Sequence, residues 1–473
     1  MAKIVFDFNI YCDFCHKKRL VTKVTDSPLF PILYLPKITL KMNYYIIAFI
    51  LFLGYPIAAQ QSRLISKEEA ISLALENNNS IKMVGEQVNE SKADWQQTQS
   101  IFLPNISASY TGFTTTNPLM AFGSKLNQEV ISQSDFNPQL LNDPSRTTNF
   151  ATKIEVQQPL LNLDGLFQRK AAKAKYKATQ LQQERTKDYV VLETQKAYMQ
   201  LQLAYKTVMV LEKAKEAAES NLMLANNSFK QGYLQKSDVL AVQVRVTEVE
   251  NQLHYAQSNV KNASNYLSVL VNDASYQLLR PSDSLVVEGT SLENSSLSED
   301  RADIKAMALA SEAYKKMYLA EKMNFLPRLN AFGSYELYDD EFLQADANGY
   351  LVGASLSWNL FEGGQKFAKA QKSKASFQKS EWELAQYKME SQVALNQAQR
   401  MLQDAQNSLK LSTLALEQSK ESLRIRTNRY KEGLEKTSDL LMAETQYAQK
   451  QLEYYTAIYQ VNYAQSYVQF LSK

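Results

Sequence analysis

The chain has 473 residues, with 52 Lys/Arg against 49 Asp/Glu, 13 Gly, 11 Pro and 2 Cys. A net charge of +3 with no basic stripe excludes a nucleic-acid surface, and so little cysteine excludes a disulfide scaffold. The length would suit two or three globular domains, but glycine and proline are too sparse, and the helical patterns too long, for that division.

The first 41 residues are unlike the rest. Lys41-Met42-Asn43, an apolar run from Tyr44 to Ile57 and then Ala58-Ala59-Gln60 read as a secretory signal peptide over 42–60. Met42 is the expected start and residues 1–41 an over-called one; the alternative is a cytoplasmic extension before a membrane anchor. The apolar run falls short of the roughly 20 residues a transmembrane helix needs. Cys12 and Cys15, with His16 beside them, form a C-x-x-C too isolated to read as a redox or zinc motif. Residues 1–60 carry seven Lys/Arg and three Asp/Glu, so of the chain's +3 the remainder carries about −1.

A helical pattern over roughly 66–100 closes at Phe102-Leu103-Pro104-Asn105-Ile106. Ile106, Ala108, Tyr110 and Gly112 then alternate with polar residues, the period of a strand with one apolar face. Residues 114–149 are rich in Asn, Pro, Thr and Ser and read as a long loop, whose Pro118-Leu119-Met120-Ala121-Phe122-Gly123 is placed to plug or line a mouth. A shorter alternating stretch with Phe150, Ile154 and Val156 ends before Pro159-Leu160-Leu161-Asn162.

A helix from about Gly165 to Phe229, about 65 residues, spans on the order of 100 Å. Along it a row beginning Val190, Thr194, Ala197, Leu201, Ala204, Val208 keeps alternating spacings of four and three, the repeat of a coiled coil. The turn Phe229-Lys230-Gln231-Gly232-Tyr233-Leu234-Gln235-Lys236-Ser237-Asp238-Val239-Leu240 follows, then a return helix from about Asp238 to Val271, half as long. The return helix continues the seam through Val239, Val242, Val246, Val249 and Leu253.

The same order then begins again. A half-length helix near 299–323 leads to Phe325-Leu326-Pro327-Arg328-Leu329, matching Phe102-Leu103-Pro104. Leu329, Ala331, Gly333, Tyr335 and Leu337 share one face of a strand. A short acidic loop near 339–349 (Asp339, Asp340, Glu341, Asp346) precedes a strand alternating Tyr350, Val352, Ala354, Leu356, Trp358 and Leu360. A second long helix ends in Tyr430-Lys431-Glu432-Gly433-Leu434-Glu435-Lys436-Thr437-Ser438-Asp439-Leu440-Leu441, the first turn restated at the same spacing.

The chain is therefore an internal duplication, residues 61–290 and 291–473, each running helix, strand, strand, long helix, turn, helix. Two half-length helices stacked end to end match one long helix, which implies a tall cylinder rather than a compact core. Each strand is near the 9–11 residues of a tilted membrane-crossing strand, with Tyr335, Tyr338, Phe342, Tyr350 and Trp358 near the ends, although a sheet on a soluble core would read the same way. Four strands cannot close a barrel, and an open edge cannot sit in lipid, so the chain must associate; two copies would give eight strands, three would give twelve. No catalytic constellation, metal-ligand spacing or phosphate loop is present, so neither enzyme, metal site nor cofactor is expected, and His254 reads as a surface or seam residue.

On the paired turns at Gly232 and Gly433 and the paired Phe-Leu-Pro motifs, the sequence from Leu64 to Ser472 resembles the TolC-type outer-membrane efflux family. The resemblance implies an α+β membrane protein: a homotrimer with a twelve-strand outer-membrane β-barrel and a periplasmic α-barrel of coiled-coil helices. It implies a channel that passively conducts substrates handed over by an inner-membrane pump and a periplasmic adaptor. It places the adaptor-docking tip at Phe229, Gly232, Tyr233, Ser237 and Asp238, and at Tyr430, Gly433, Leu434, Ser438 and Asp439. Asp439 matches a pore-facing tip aspartate of relatives, while Met442 stands where they often carry a second acid, so the periplasmic gate is expected at Asp439 and Met442. The plainer expectation for the same residues is a helix C-cap glycine followed by a Ser/Asp N-cap, with Asp439 a cap only. Two other functions fit: a periplasmic coiled-coil adaptor or scaffold that never enters lipid, and a duct for type I protein secretion.

Overall fold

The computed structural model describes residues 62–275, 277–289 and 296–473. The expected signal peptide, Cys12, Cys15 and His16 lie outside the described residues. Each repeat opens on half-length helices. In the first these are α1 (Lys67–Asn77) and α2 (Asn79–Gln97), and a short 3-10 turn at Thr98–Ile101 follows them. The single helix expected over 66–100 is thus broken at Asn78, which caps both neighbours: its N–H donates to Ala74 O, and its side chain accepts from Ser80 N–H.

Strand β2 (Asn105–Thr115) leads through α3 (Pro118–Asn127) and α4 (Pro138–Asn142) to β3 (Thr147–Leu161), and α5 (Leu163–Lys230) and α6 (Lys236–Val271) complete the repeat. The second repeat runs α7 (Ala302–Met323), β5 (Arg328–Asp339), β6 (Ala347–Ser357), α8 (Gln365–Lys431) and α9 (Thr437–Ser472). The excursion at 114–149, expected as a loop, carries helices. Asn117 and Asn137 cap α3 and α4, and a proline opens each, the ordinary start signals of short helices.

The heptad seam holds. Val190, Thr194, Ala197 and Leu201 of α5 are buried, and so are Val239, Val242, Val249, Leu253, Ala256, Val260 and Leu267 of α6. In the second repeat Leu395, Ala398, Leu402 and Ala405 of α8 pack on Val461, Ala464, Val468 and Leu471 of α9. Burying one Val or Leu side chain stabilises by roughly 1.5–3 kcal/mol, so each seam is a long sum of such terms. Away from the tips α8 packs on α7, and α5 packs on α1, α2 and α7. Half-length helices therefore stack end to end along the long ones, as length matching implies.

The stacking joint is itself duplicated. Leu270 stands to Leu471 as Gly232 does to Gly433, and Asn78 stands to Arg301 as Phe102 does to Phe325. Asn78 Nδ2 donates to Leu270 O at 2.8 Å, and Arg301 Nη1 to Leu471 O at 3.0 Å. Each contact satisfies a last-turn carbonyl that a helix end leaves without an internal partner. A parallel pair, β1 (Arg63–Ile65) with β4 (Leu279–Pro281), wraps the first joint; three-residue strands leave too short a pattern to be read from sequence.

The four longer strands form one antiparallel sheet ordered β2-β3-β5-β6. Its register aligns Ile106 with Val156, Gly333 and Val352, and Ala108 with Ile154, Tyr335 and Tyr350, on one face. The other face aligns Ser109 with Lys153, Glu336 and Gly349, and Lys153 Nζ lies 3.3 Å from Glu155 and 3.4 Å from Glu336. One face is apolar and the other carries ion pairs. Strand β3, expected to be the shorter one ending before Pro159, is instead 15 residues long and runs through Pro159 to Leu161. The proline is tolerated because β2 pairing stops at Gln157 and a bulge follows, leaving β3 a neighbour on one side only. Conversely β6 stops at Ser357, and Trp358 turns its Nε1 to Phe325 O at 3.0 Å. Among the described residues no helix is long and apolar enough to cross a membrane.

Candidate functional site at the hairpin tips

Both turns are the same hydrogen-bonded object. Gly232 N–H donates to Phe229 O at 3.0 Å and Tyr233 N–H to Ser228 O at 2.9 Å; Gly433 donates to Tyr430 O at 3.0 Å and Leu434 to Arg429 O at 2.9 Å. This paired closure is the Schellman motif, which needs a left-handed residue at its centre. Gly232 has φ +81° and Gly433 +71°. A Cβ at either would touch nothing within 4 Å, so the backbone dihedral, not crowding, demands glycine here.

The return helices begin two residues earlier than a Ser N-cap, and three earlier than an Asp N-cap, would have them. Gln235 and Lys436 are the N-caps. Ser237, Asp238, Ser438 and Asp439 lie in the first turn, where a carboxylate complements the helix dipole. Asp238 reaches back to accept Gln235 N–H at 3.1 Å, closing a capping box. Asp439 instead lies half-buried with its carboxylate 4.0 Å from Arg426 Nη1. Asp439 thus carries an ionic contact besides its place at the helix start, and Met442, one turn on, is exposed.

The expected docking residues do not all face outward. Tyr233 and Leu434 are 80% and 67% exposed, and Phe229 is exposed with Lys236 Nζ 5.7 Å above its ring. Tyr430 is buried, its hydroxyl 3.5 Å from Thr437 Oγ1. The two tips also differ at one equivalent position. Leu234 joins an apolar cluster with Ala225, Val239, Val242 and Leu441, which brings the second hairpin against the first. Its counterpart Glu435 binds Arg426 at 2.7 Å and Arg429 at 2.8 Å. One tip is closed by apolar packing, the other by an ionic lock.

A polar contact between the hairpins escapes sequence reasoning altogether. Asn221 of α5 donates to Glu444 of α9, with Arg245 of α6 buried nearby. Burial raises the Glu444 carboxyl to about 7, with the Arg245 charge acting against it. Glu444 sits in a row of Gln, Lys and Glu with no spacing signal, and only the approach of α9 to α5 and α6 distinguishes it.

The sequence matches the family described as outer membrane efflux protein over residues 70–273 and 294–471, one stretch in each half. A comparison with curated proteins gives no match. Among solved structures the chain is similar to CusC, with TM-score 0.74 at 16% identity over 89% of this chain and 95% of that one. It is similar to the Campylobacter jejuni CmeC outer membrane channel, with TM-score 0.75 at 16% identity, covering 93% and 94%. The outer membrane protein VceC from Vibrio cholerae gives TM-score 0.72 at 16% identity, covering 86% and 96%. At such identity these likenesses establish the fold.

Proposed function

The chain belongs to the outer membrane efflux protein family, and from that premise we propose that it is the exit duct of a tripartite export system, working as a homotrimer. It is an outer-membrane channel with its long helices in the periplasm, a passive conduit and not an enzyme. Four strands from each of three copies make the twelve-strand barrel. The observation that carries this reading is the sheet's register, which separates an apolar face for lipid from a face bearing Lys153, Glu155 and Glu336, while β2 and β6 remain open edges. An open edge in hydrocarbon leaves backbone groups unsatisfied at several kcal/mol each. Strands β2 and β6 run in opposite directions, so β6 of one copy suits antiparallel pairing with β2 of the next.

At the other end, the tips at Gly232 and Gly433 receive a periplasmic adaptor, which couples the duct to an inner-membrane pump. Tyr233 and Leu434 offer it exposed apolar side chains on a turn of fixed shape. Asp439 and Met442 border the periplasmic aperture, where three carboxylates around a narrow pore would repel one another and attract cations. The test is a Tyr233→Ser, Leu434→Ser double variant. Its outer-membrane level should stay unchanged while pump-dependent export falls about tenfold, the effect of losing about 1.4 kcal/mol of docking free energy. Unchanged export would remove the tip from the docking surface.

A further inference from the structure

The excursion between β2 and β3 has a side. Gln128, buried at the end of α3, donates from Nε2 to Thr148 O at 2.9 Å, Asn149 Oδ1 at 2.9 Å and Asp339 O at 3.1 Å. Asn149 lies on the sheet face of Lys153 and Glu155, because side chains alternate along a strand. Helix α3 also packs against β6. There Ala347, on that same face, is 1% exposed although most of β6 is exposed. The helix therefore crosses the ion-pair face of the sheet at the end remote from the long helices. It is held in place: Lys125 pairs with Asp135 at 2.9 Å, and Phe122 meets Phe136 edge to face at 5.8 Å.

Its free side is apolar. Leu119 is 82% exposed and Met120 49%, the reverse of what a solvated surface helix presents. The size of the barrel says what covers them. Twelve strands about 4.8 Å apart, tilted about 40°, enclose a backbone diameter of roughly 24 Å. Three helices, each about 10 Å across with side chains, fill that bore. We propose that the excursion is a built-in apolar constriction of the duct's outer mouth, formed by three copies of α3 meeting through Leu119 and Met120; this rests on the trimer proposed above. An apolar constriction resists hydrated ions by dewetting, while amphiphilic solutes cross it. The duct is thereby selective at its outer end, independently of the periplasmic tip.

Cysteine cross-linking tests this, since the chain's 2 cysteines are Cys12 and Cys15 and both are replaceable by serine. In that background Leu119→Cys, treated with a short bismaleimide in outer-membrane fractions, should yield covalent dimers of the chain. Tyr350→Cys, equally exposed but on the apolar face, should yield none. Particles of three copies in which Leu119→Cys gives no dimer would overturn the constriction and leave the trimer standing. Modification of Leu119→Cys by a maleimide confined to the bilayer would overturn it too, by placing α3 outside the bore. A particle of any other copy number would overturn the trimer and the constriction together.

Discussion

Glu444 is half-buried between three helices and binds its proton more tightly when folded than the ordinary value of 4.5 allows, reaching about 7. The folded state therefore holds more protons than the unfolded chain between those values, and stability falls as pH rises through them. The contribution is complete below about 4.5 and gone above about 7. A Glu444→Gln variant stays neutral and keeps an oxygen for Asn221, so its thermal midpoint should lose this slope between about pH 4.5 and 7. Parallel pH profiles for the two proteins would show that Glu444 is not the titrating group. The glycines act differently: a Cβ at Gly232 or Gly433 meets no neighbour, so substitution costs only the left-handed strain of about 1–2 kcal/mol per residue.

At the scale of elements, the end-to-end joints decide whether half-length helices behave as full-length ones. The second joint is the more heavily built. Arg301, 2% exposed, binds Asp303 at 2.7 Å, Ser391 at 2.8 Å and Leu471 O at 3.0 Å. Arg185 adds 3.1 Å to Asp303 and 2.9 Å to Phe470 O, and Tyr387 gives Asp303 a 2.7 Å bond. Burial pushes the Asp303 carboxyl up, but bonds from Arg301 and Tyr387 and the Arg185 charge bring it below the ordinary value. Removing one partner of such a group strands the others, so Arg301→Ala should cost roughly 3–5 kcal/mol. Asn78→Ala, at the equivalent place in the first repeat, loses two uncharged bonds, to Leu270 O and from Ser80 N–H, and should cost roughly 1–3 kcal/mol. Denaturant unfolding of both variants checks the order, and equal losses would mean that the ionic network adds nothing to the joint. The coiled-coil seams were legible in advance because a four-three spacing survives over dozens of residues. The joints were not, because Asn78 and Arg301 share a position and a donor role but neither residue type nor charge.

For the whole molecule, the unpaired edges of β2 and β6 are the controlling fact. Protein extracted by detergent from an outer-membrane fraction should have the mass of three copies per particle. A single-copy species in the soluble periplasm would mean that the apolar face, with Ile154, Tyr335 and Val352, packs on protein rather than lipid. The acidic loop near 339–349 belongs to this scale as well. Phe342 folds back onto Tyr110 and Phe150 at 5.7 and 5.6 Å, so the loop lies against the apolar face of the sheet.

Sequence alone determined what repeats along one chain: the duplication, the alternation of β2 and β5, the seams of α5 and α6, and the two glycine turns. Each is a local rule about period or dihedral, written into consecutive residues. The fold decided which sheet face is ionic, that Tyr430 turns inward while Tyr233 does not, and that the stretch expected as a loop at 114–149 is a helical structure fixed by Gln128. It also decided that Glu444 lies beside Asn221 and Arg245. Those features depend on residues far apart in sequence meeting across helices and strands, and no periodicity along the chain encodes such a meeting.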